Sequence, residues 1–269
     1  LGTDANSINT TSIGITDGKI AFIGTEPEHF YAESYVDAHG LSLMPGCVDL
    51  AAWLREPGLD HKATIASETY AAAASGITTL TYQPEPAAMV GNAAQVNLIK
   101  DINNHLGYAH IRVLGNLTHE LQGERLSNMG GLKRAGCVGV TNGWQPLQNL
   151  RVQRLAMEYA STHNLSLFIY PLEVALAAGG VVHEGSVASR LGFAAIPSAA
   201  ETVAVAQTLA LIEMTGTRVH FCRLSAEGSV RLIRQAKASG LPVTADVAAH
   251  QLFLTDVNIA DFKPLCHVR

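Results

Sequence analysis

The sequence is poor in charge, in aromatic residues and in cysteine. Only 15% of its 269 residues are Asp, Glu, Lys or Arg, and only 6% are Phe, Trp or Tyr. Acids outnumber Lys and Arg by 23 to 18, a formal charge of −5. A nucleic-acid binder needs a clustered basic surface, so this balance argues against one. No run of like charges and no low-complexity tract interrupts the chain. No apolar stretch reaches the roughly 18 residues that a membrane-spanning helix requires, and the start shows no signal-peptide pattern. The four cysteines, Cys47, Cys137, Cys222 and Cys266, are far apart and form no CxxC pair. That spacing reads as reduced thiols in the cytoplasm.

What remains is an ordinary globular composition, 48% hydrophobic and long enough to bury a large core. The length suits one α/β barrel better than two small domains. The chain begins at Leu1 without Met and stops at Arg269 as a loop begins. Both ends therefore look cut, which reads either as a piece of a longer protein or as a sequence from which disordered parts are left out.

The first stretch, 1–43, predicts a small β region. Ser12 to Thr16 alternates, Asp17-Gly18 supplies a hairpin turn, and Lys19 to Gly24 returns. From 44 to 269 short apolar strands alternate with helical segments. Strands are expected within 44–54, 78–82, 111–114, 138–141, 165–170, 218–222 and 242–247. Helices are expected at 63–75, 93–106, up to about 135, 152–163, 199–215 and 229–239. Gly76, Gly216 and Gly240 stand where helices end. Seven strand–helix repeats with near-continuous apolar strands predict a parallel sheet covered on both faces. A closed barrel needs eight strands, and the eighth would lie beyond Arg269. A doubly wound sheet is the alternative, but no Gly-rich fingerprint follows the first strand.

Four blocks, in order, carry a resemblance. Pro45 to Pro57 reads PGCVDLAAWLREP and is similar to the dihydroorotase signature PGxxDxHxHxREP. Leu59 to Thr79, Gly179 to Pro197 and Gly240 to Asp256 continue the likeness, which runs from about Thr16 to Asp256. The chain thus resembles the dihydroorotase family. The resemblance implies a TIM-type (β/α)8 barrel of the amidohydrolase superfamily with a small flanking β domain. It also implies two zinc ions at the C-terminal ends of the strands, which would lower the pKa of a bound water.

The positions that match the family's ligands are occupied by other residues. Its His-x-His pair falls on Ala51 and Trp53. Ala has no donor atom, and the indole N–H has no lone pair for a metal. The acids of its FxDDG run fall on Asn142 and Gly143, within Val140 to Trp144. Its single His residues fall on Tyr170 and Arg223, and the fixed charge of Arg would repel a divalent cation. The expectation is therefore no metal, no cofactor and no catalytic residue.

Some positions persist. Arg55 matches the family's carboxylate-binding Arg, or it pairs with Glu56 or another acid. Glu85 stands at a family Asn position and would repel an anionic substrate. His250 matches one His of the family's PHH segment. Arg55, Glu85 and His250 are the vestigial binding candidates. Asp49 and His183 read as structural. His61, His105, His110, His119, His163 and His220 show no pairing that suggests a site. Cys222, beside Arg223, reads as core packing, although the neighbouring cation could lower its pKa. Ser225 lacks a GxSxG elbow.

Within this family some bacteria pair aspartate transcarbamoylase with an inactive dihydroorotase-like chain needed for its assembly. The resemblance to that type implies a non-catalytic structural subunit of pyrimidine biosynthesis that also self-associates. Two other readings stay open. One is a working cyclic amidohydrolase, converting carbamoyl-aspartate and dihydroorotate at an atypical site. The other is a sensor that holds an anionic metabolite through Arg55 and Arg223.

Overall fold

A computed structural model describes residues 11–259. The chain divides into two compact units, Leu1–Gly46 and Cys47–Arg269. In the first, β1 (Ser12–Thr16) and β2 (Lys19–Gly24) pair antiparallel. Asp17 and Gly18 both take positive φ, the backbone that a two-residue hairpin turn requires. The ring of Phe22 lies over Gly14, where a Cβ would meet it at 2.1 Å. The sequence placed this hairpin correctly because its turn pair is local chemistry.

The second unit is built on a seven-stranded parallel sheet. Its strands are β3 (Cys47–Ala52), β4 (Ile77–Tyr82), β5 (His110–Asn116), β6 (Gly139–Thr141), β7 (Ser166–Ile169), β10 (Val219–Phe221) and β11 (Val243–Ala245). They lie side by side in chain order, from β3 at one end to β11 at the other. Parallel neighbours need long crossovers. The helices α1 (Ile65–Ala74), α2 (Ala93–Leu106), α3 (Met129–Ala135), α4 (Leu150–Thr162), α7 (Ala199–Thr215) and α8 (Glu227–Ala238) supply them. Between β7 and α7 the chain adds α5 (Val174–Ala177), α6 (Ser186–Leu191) and a separate parallel pair, β8 (Val182–His183) with β9 (Ala195–Ile196). These short pieces carry too few residues for a periodic signal, and the sequence reading did not contain them.

Polar side chains start several helices. Thr64 and Ser67 form a reciprocal capping box at α1, and Asn92, Asn128 and Asn149 accept from first-turn N–H groups of α2, α3 and α4. Gly216 ends α7 in the left-handed region at φ 64°, where an L side chain is strained. The core is shared by strands and helices. Leu80, Val113, Val140, Leu167 and Phe221 are buried on the sheet, and Ile99, Leu132, Met157 and Ile212 are buried on the helices. Among the described residues no helix is long and apolar enough to cross a membrane.

The sheet is strongly curved. β3 and β10 lie five strand positions apart in its order. At about 4.8 Å per strand a flat sheet would separate them by about 24 Å. Instead Arg223, just beyond β10, contacts Trp53, just beyond β3, at 4.2 Å. Only a sheet rolled toward a barrel brings those strand ends together.

Candidate functional site

Because all seven strands run the same way, the residues that follow them gather at one end. Trp53 follows β3, and Glu85 lies three residues past β4. Asn142, Gly143 and Trp144 follow β6, and Tyr170 follows β7. Arg223 comes two residues after β10, and Asp246 follows β11. Barrel enzymes of this kind build their sites from this end.

Three of the six positions matching zinc ligands converge with one further residue. Trp53 and Trp144 stack with ring centroids 4.8 Å apart and planes 8° from parallel. Tyr170 meets Trp144 edge-on at 5.1 Å. The Arg223 guanidinium carbon lies 3.7 Å from the Trp144 ring centroid and 4.2 Å from that of Trp53. The cation thus closes a triangle with two indoles, whose faces carry the negative potential that attracts it. Trp144 was passed over in the sequence as the Gly position of the FxDDG run. Two aromatic residues separated by 91 positions give no local signal of stacking.

The remaining ligand positions are also committed. Ala51 offers no donor, and its N–H donates to Asp49 Oδ1 at 2.8 Å. Asn142 is buried: its Oδ1 accepts from Thr118 Oγ1 at 2.5 Å and its Nδ2 donates to the Leu121 and Gln145 carbonyls. Gly143 has no side chain and takes φ 62°. The space beside Asn142, Gly143 and Tyr170 is only about 10 Å³, room for about one water. A dinuclear zinc centre needs several imidazole, carboxylate or thiolate donors. Ala, Trp, Asn, Gly, Tyr and Arg do not provide them, so these residues do not fit the family's metal pair. Among the described residues no group of three or more His, Cys, Asp or Glu is arranged to hold a metal ion.

Arg55 is tied down. Its Nη1 lies 2.6 Å from Glu85 Oε2. Glu85 is therefore the acid that pairs with Arg55, while the Glu56 carboxylate accepts from the Ile65 N–H at the start of α1. Nearby, burial and then the charges of Glu85, Asp60 and Glu56 push the Tyr82 phenol well above its ordinary pKa. His250 lies in a 3-10 turn, Ala249–Leu252, after β11. His183 is exposed on β8.

His220 corrects the sequence reading, which gave it no partner. It is buried, its Nε2 lies 3.0 Å from Asp246 Oδ2, and its Nδ1 lies 2.8 Å from Thr244 Oγ1. Thr244 lies on the neighbouring strand and Asp246 just past its end, 24 and 26 residues away, and the parallel pairing of β10 with β11 brings them to His220. Asp246 Oδ1 also accepts the Arg223 backbone N–H. Burial pushes the Asp246 pKa up, but the bonds from His220 and Arg223 outweigh it and hold the carboxylate below its ordinary range. Cys222 is buried, as its reading as a core residue expects. Burial, reinforced by Asp246, raises its thiol to about 12 despite Arg223 next door. The thiol is protonated at neutral pH and packs in the core.

The comparisons agree with this architecture. The model of the Dihydro-orotase-like family matches residues 40–229. A dihydroorotase-like protein of Pseudomonas aeruginosa is 44% identical over 255 residues, 95% of this chain and 60% of the relative. One of Pseudomonas putida is 41% identical, over 96% and 61%. A dihydroorotase of Pelotomaculum thermopropionicum is 39% identical, over 94% and 58%. The chain therefore spans about three fifths of the length of these relatives. Among solved structures, the L-hydantoinase (dihydropyrimidinase) of Arthrobacter aurescens superposes with a TM-score of 0.81 at 21% identity, covering 97% of this chain and 59% of that one. At that identity the likeness shows the fold, a TIM-type barrel of the amidohydrolase kind. The sequential parallel sheet, the rolled strand ends and the matched family region lead to one conclusion: this chain belongs to the dihydroorotase-like family.

Proposed function

We propose that this chain is a non-catalytic dihydroorotase-like protein. The carrying observation is the packing of Trp53, Trp144, Tyr170 and Arg223 where the family's metal pair would stand. An active family member needs a metal-activated water and a Lewis acid for the ring amide. The donors for both are missing, and a fixed cation lies among the replacements.

The role that fits a retained scaffold is structural. We assign the chain to the support of aspartate transcarbamoylase in pyrimidine biosynthesis, in the cytoplasm, as a self-associating subunit. The two Pseudomonas relatives named as dihydroorotase-like proteins support this reading through their identity of 44% and 41%. The pairing of Arg55 with Glu85 supports it too, since the cation matching the family's carboxylate receptor is already neutralised.

Metal analysis and a dihydroorotate assay on one chelator-free preparation test the first claim. The expected result is no stoichiometric zinc and no turnover. Bound zinc with turnover would favour the alternative, a working cyclic amidohydrolase. Co-expression with the transcarbamoylase catalytic chain tests the second. A joint peak on a sizing column, with transcarbamoylase activity that depends on this chain, is expected. Separate elution with full transcarbamoylase activity would refute the partnership.

A further inference from the structure

The barrel mouth contains a cation with unspent hydrogen-bonding capacity. Arg223 has five side-chain N–H donors. Among the described residues none of them makes a hydrogen bond, and no carboxylate lies within ion-pair distance of the guanidinium. Among the described residues it lies against two indole faces, at 3.7 and 4.2 Å. The group is half-buried, and none of its nitrogens is sealed from solvent without a partner. Arg55, the other arginine at this end, differs: Glu85 occupies it at 2.6 Å.

The backbone supports the same assignment. Arg223 takes φ 58°, a left-handed conformation that costs a side-chain-bearing residue energy. The strain is held by Asp246, whose carboxylate accepts the Arg223 N–H while His220 braces its other oxygen. Such strain, fixed by surrounding bonds, concentrates at ligand sites. Two stacked rings and a braced backbone fix the orientation of the guanidinium before any ligand arrives, which removes an ordering cost from binding.

The geometry points to an anion site at the barrel mouth, in which the Arg223 guanidinium, cradled by Trp53 and Trp144, takes a small monocarboxylate. Its planar fork matches a carboxylate in bidentate fashion. Asp246 and Asp49 also act on this cation, so one negative charge is accommodated better than the two of a phosphate dianion. The space beside Asn142, Gly143 and Tyr170, about 10 Å³, holds no more than about one water. The carboxylate does not enter there and leaves its substituent outside. This inference goes beyond the scaffold role and rests on the donors of the mouth alone, so binding here and partnership there succeed or fail separately.

The chain's two tryptophans are both in this cluster, so intrinsic emission reports the site without a label. The full chain is titrated with sodium acetate at constant ionic strength, balanced by chloride, with phosphate as a parallel series. Acetate is expected to give a saturable emission change with half-saturation in about the millimolar range. Phosphate is expected to give a weaker response and chloride none. Arg223→Met is expected to abolish the acetate response. A response that is linear, or matched by chloride, overturns the site. A stronger phosphate response overturns the ligand class. A response kept in Arg223→Met but lost in Arg55→Met places the anion elsewhere and overturns the assignment. Should Arg223→Met misfold, the shift of the Arg223 Nε–H resonance in the unaltered chain gives the same decision: movement with acetate but not chloride supports the site, and no movement refutes it.

Discussion

Replacing Arg223 measures how much the cluster contributes to the fold, and the size of the effect follows from the geometry. Arg223→Ala removes two cation–π contacts, at 3.7 and 4.2 Å. At a half-buried site each contributes about 1 kcal/mol, so about 2 kcal/mol is lost. In a domain of this size that lowers Tm by about 4–8 °C. The backbone adds a sharper test. At φ 58° an Ala is strained by about 1 kcal/mol, whereas Gly adopts the conformation freely. Arg223→Gly loses the same ring contacts and escapes that strain, so it should be more stable than Arg223→Ala. This reverses the usual order of the two residues. Urea unfolding of the full chain, followed by far-UV circular dichroism, separates the two variants without relying on the tryptophans themselves. Equal stability of Arg223→Ala and the parent chain would show that the ring contacts contribute nothing. An Ala variant more stable than the Gly variant would refute the strained backbone.

Three further outcomes follow. The Asp246 carboxylate is held below its ordinary pKa, so its contribution is present above the unfolded value near about 4 and is lost as pH falls through the folded one. Asp246→Asn should therefore be less stable at pH 7, and its deficit should shrink on acidification; a deficit that stays constant down to pH 2 would contradict the linkage. Burial raises the Cys137 and Cys222 thiols to about 12, whereas Cys47 is exposed. A thiol reagent at pH 8 should modify Cys47 in the native chain and reach Cys137 and Cys222 only in denaturant, as read by peptide mass spectrometry. Gly58 takes φ 122°, and a Cβ there would meet the Ala87 carbonyl oxygen at 2.2 Å, so Gly58→Ala should destabilise by more than about 1 kcal/mol in the same urea assay.

The sheet was legible because its signals are local. Apolar strands and terminal glycines each declare themselves within a few residues. Helices Ala93–Leu106 and Ala199–Thr215 match the expected spans residue for residue. The positions compared with the family's ligands could be named from the sequence, since Ala51 and Trp53 lie in a matched motif and Tyr170 and Arg223 stand at strand ends. How those side chains pack together was not. The stack of Trp53 on Trp144 and the bond of His220 to Asp246 join segments that meet only once the sheet is rolled. Glu85 shows the same limit: its charge was read as a repulsion for substrate, but its nearest cation is Arg55 of the chain itself.

The Trp–Trp–Arg triangle also has a consequence for building a metal centre. A zinc site gives back binding energy only when three or more ligands are in place. Changing Trp53 to His would break the indole stack, and changing Arg223 to His would empty the triangle. Each such step loses packing before any metal can be held. A metal centre built into this chain one residue at a time would therefore pass through weakened intermediates at these two positions. At Trp53 and Arg223 a single step toward His gives up ring contacts before a metal could offset them.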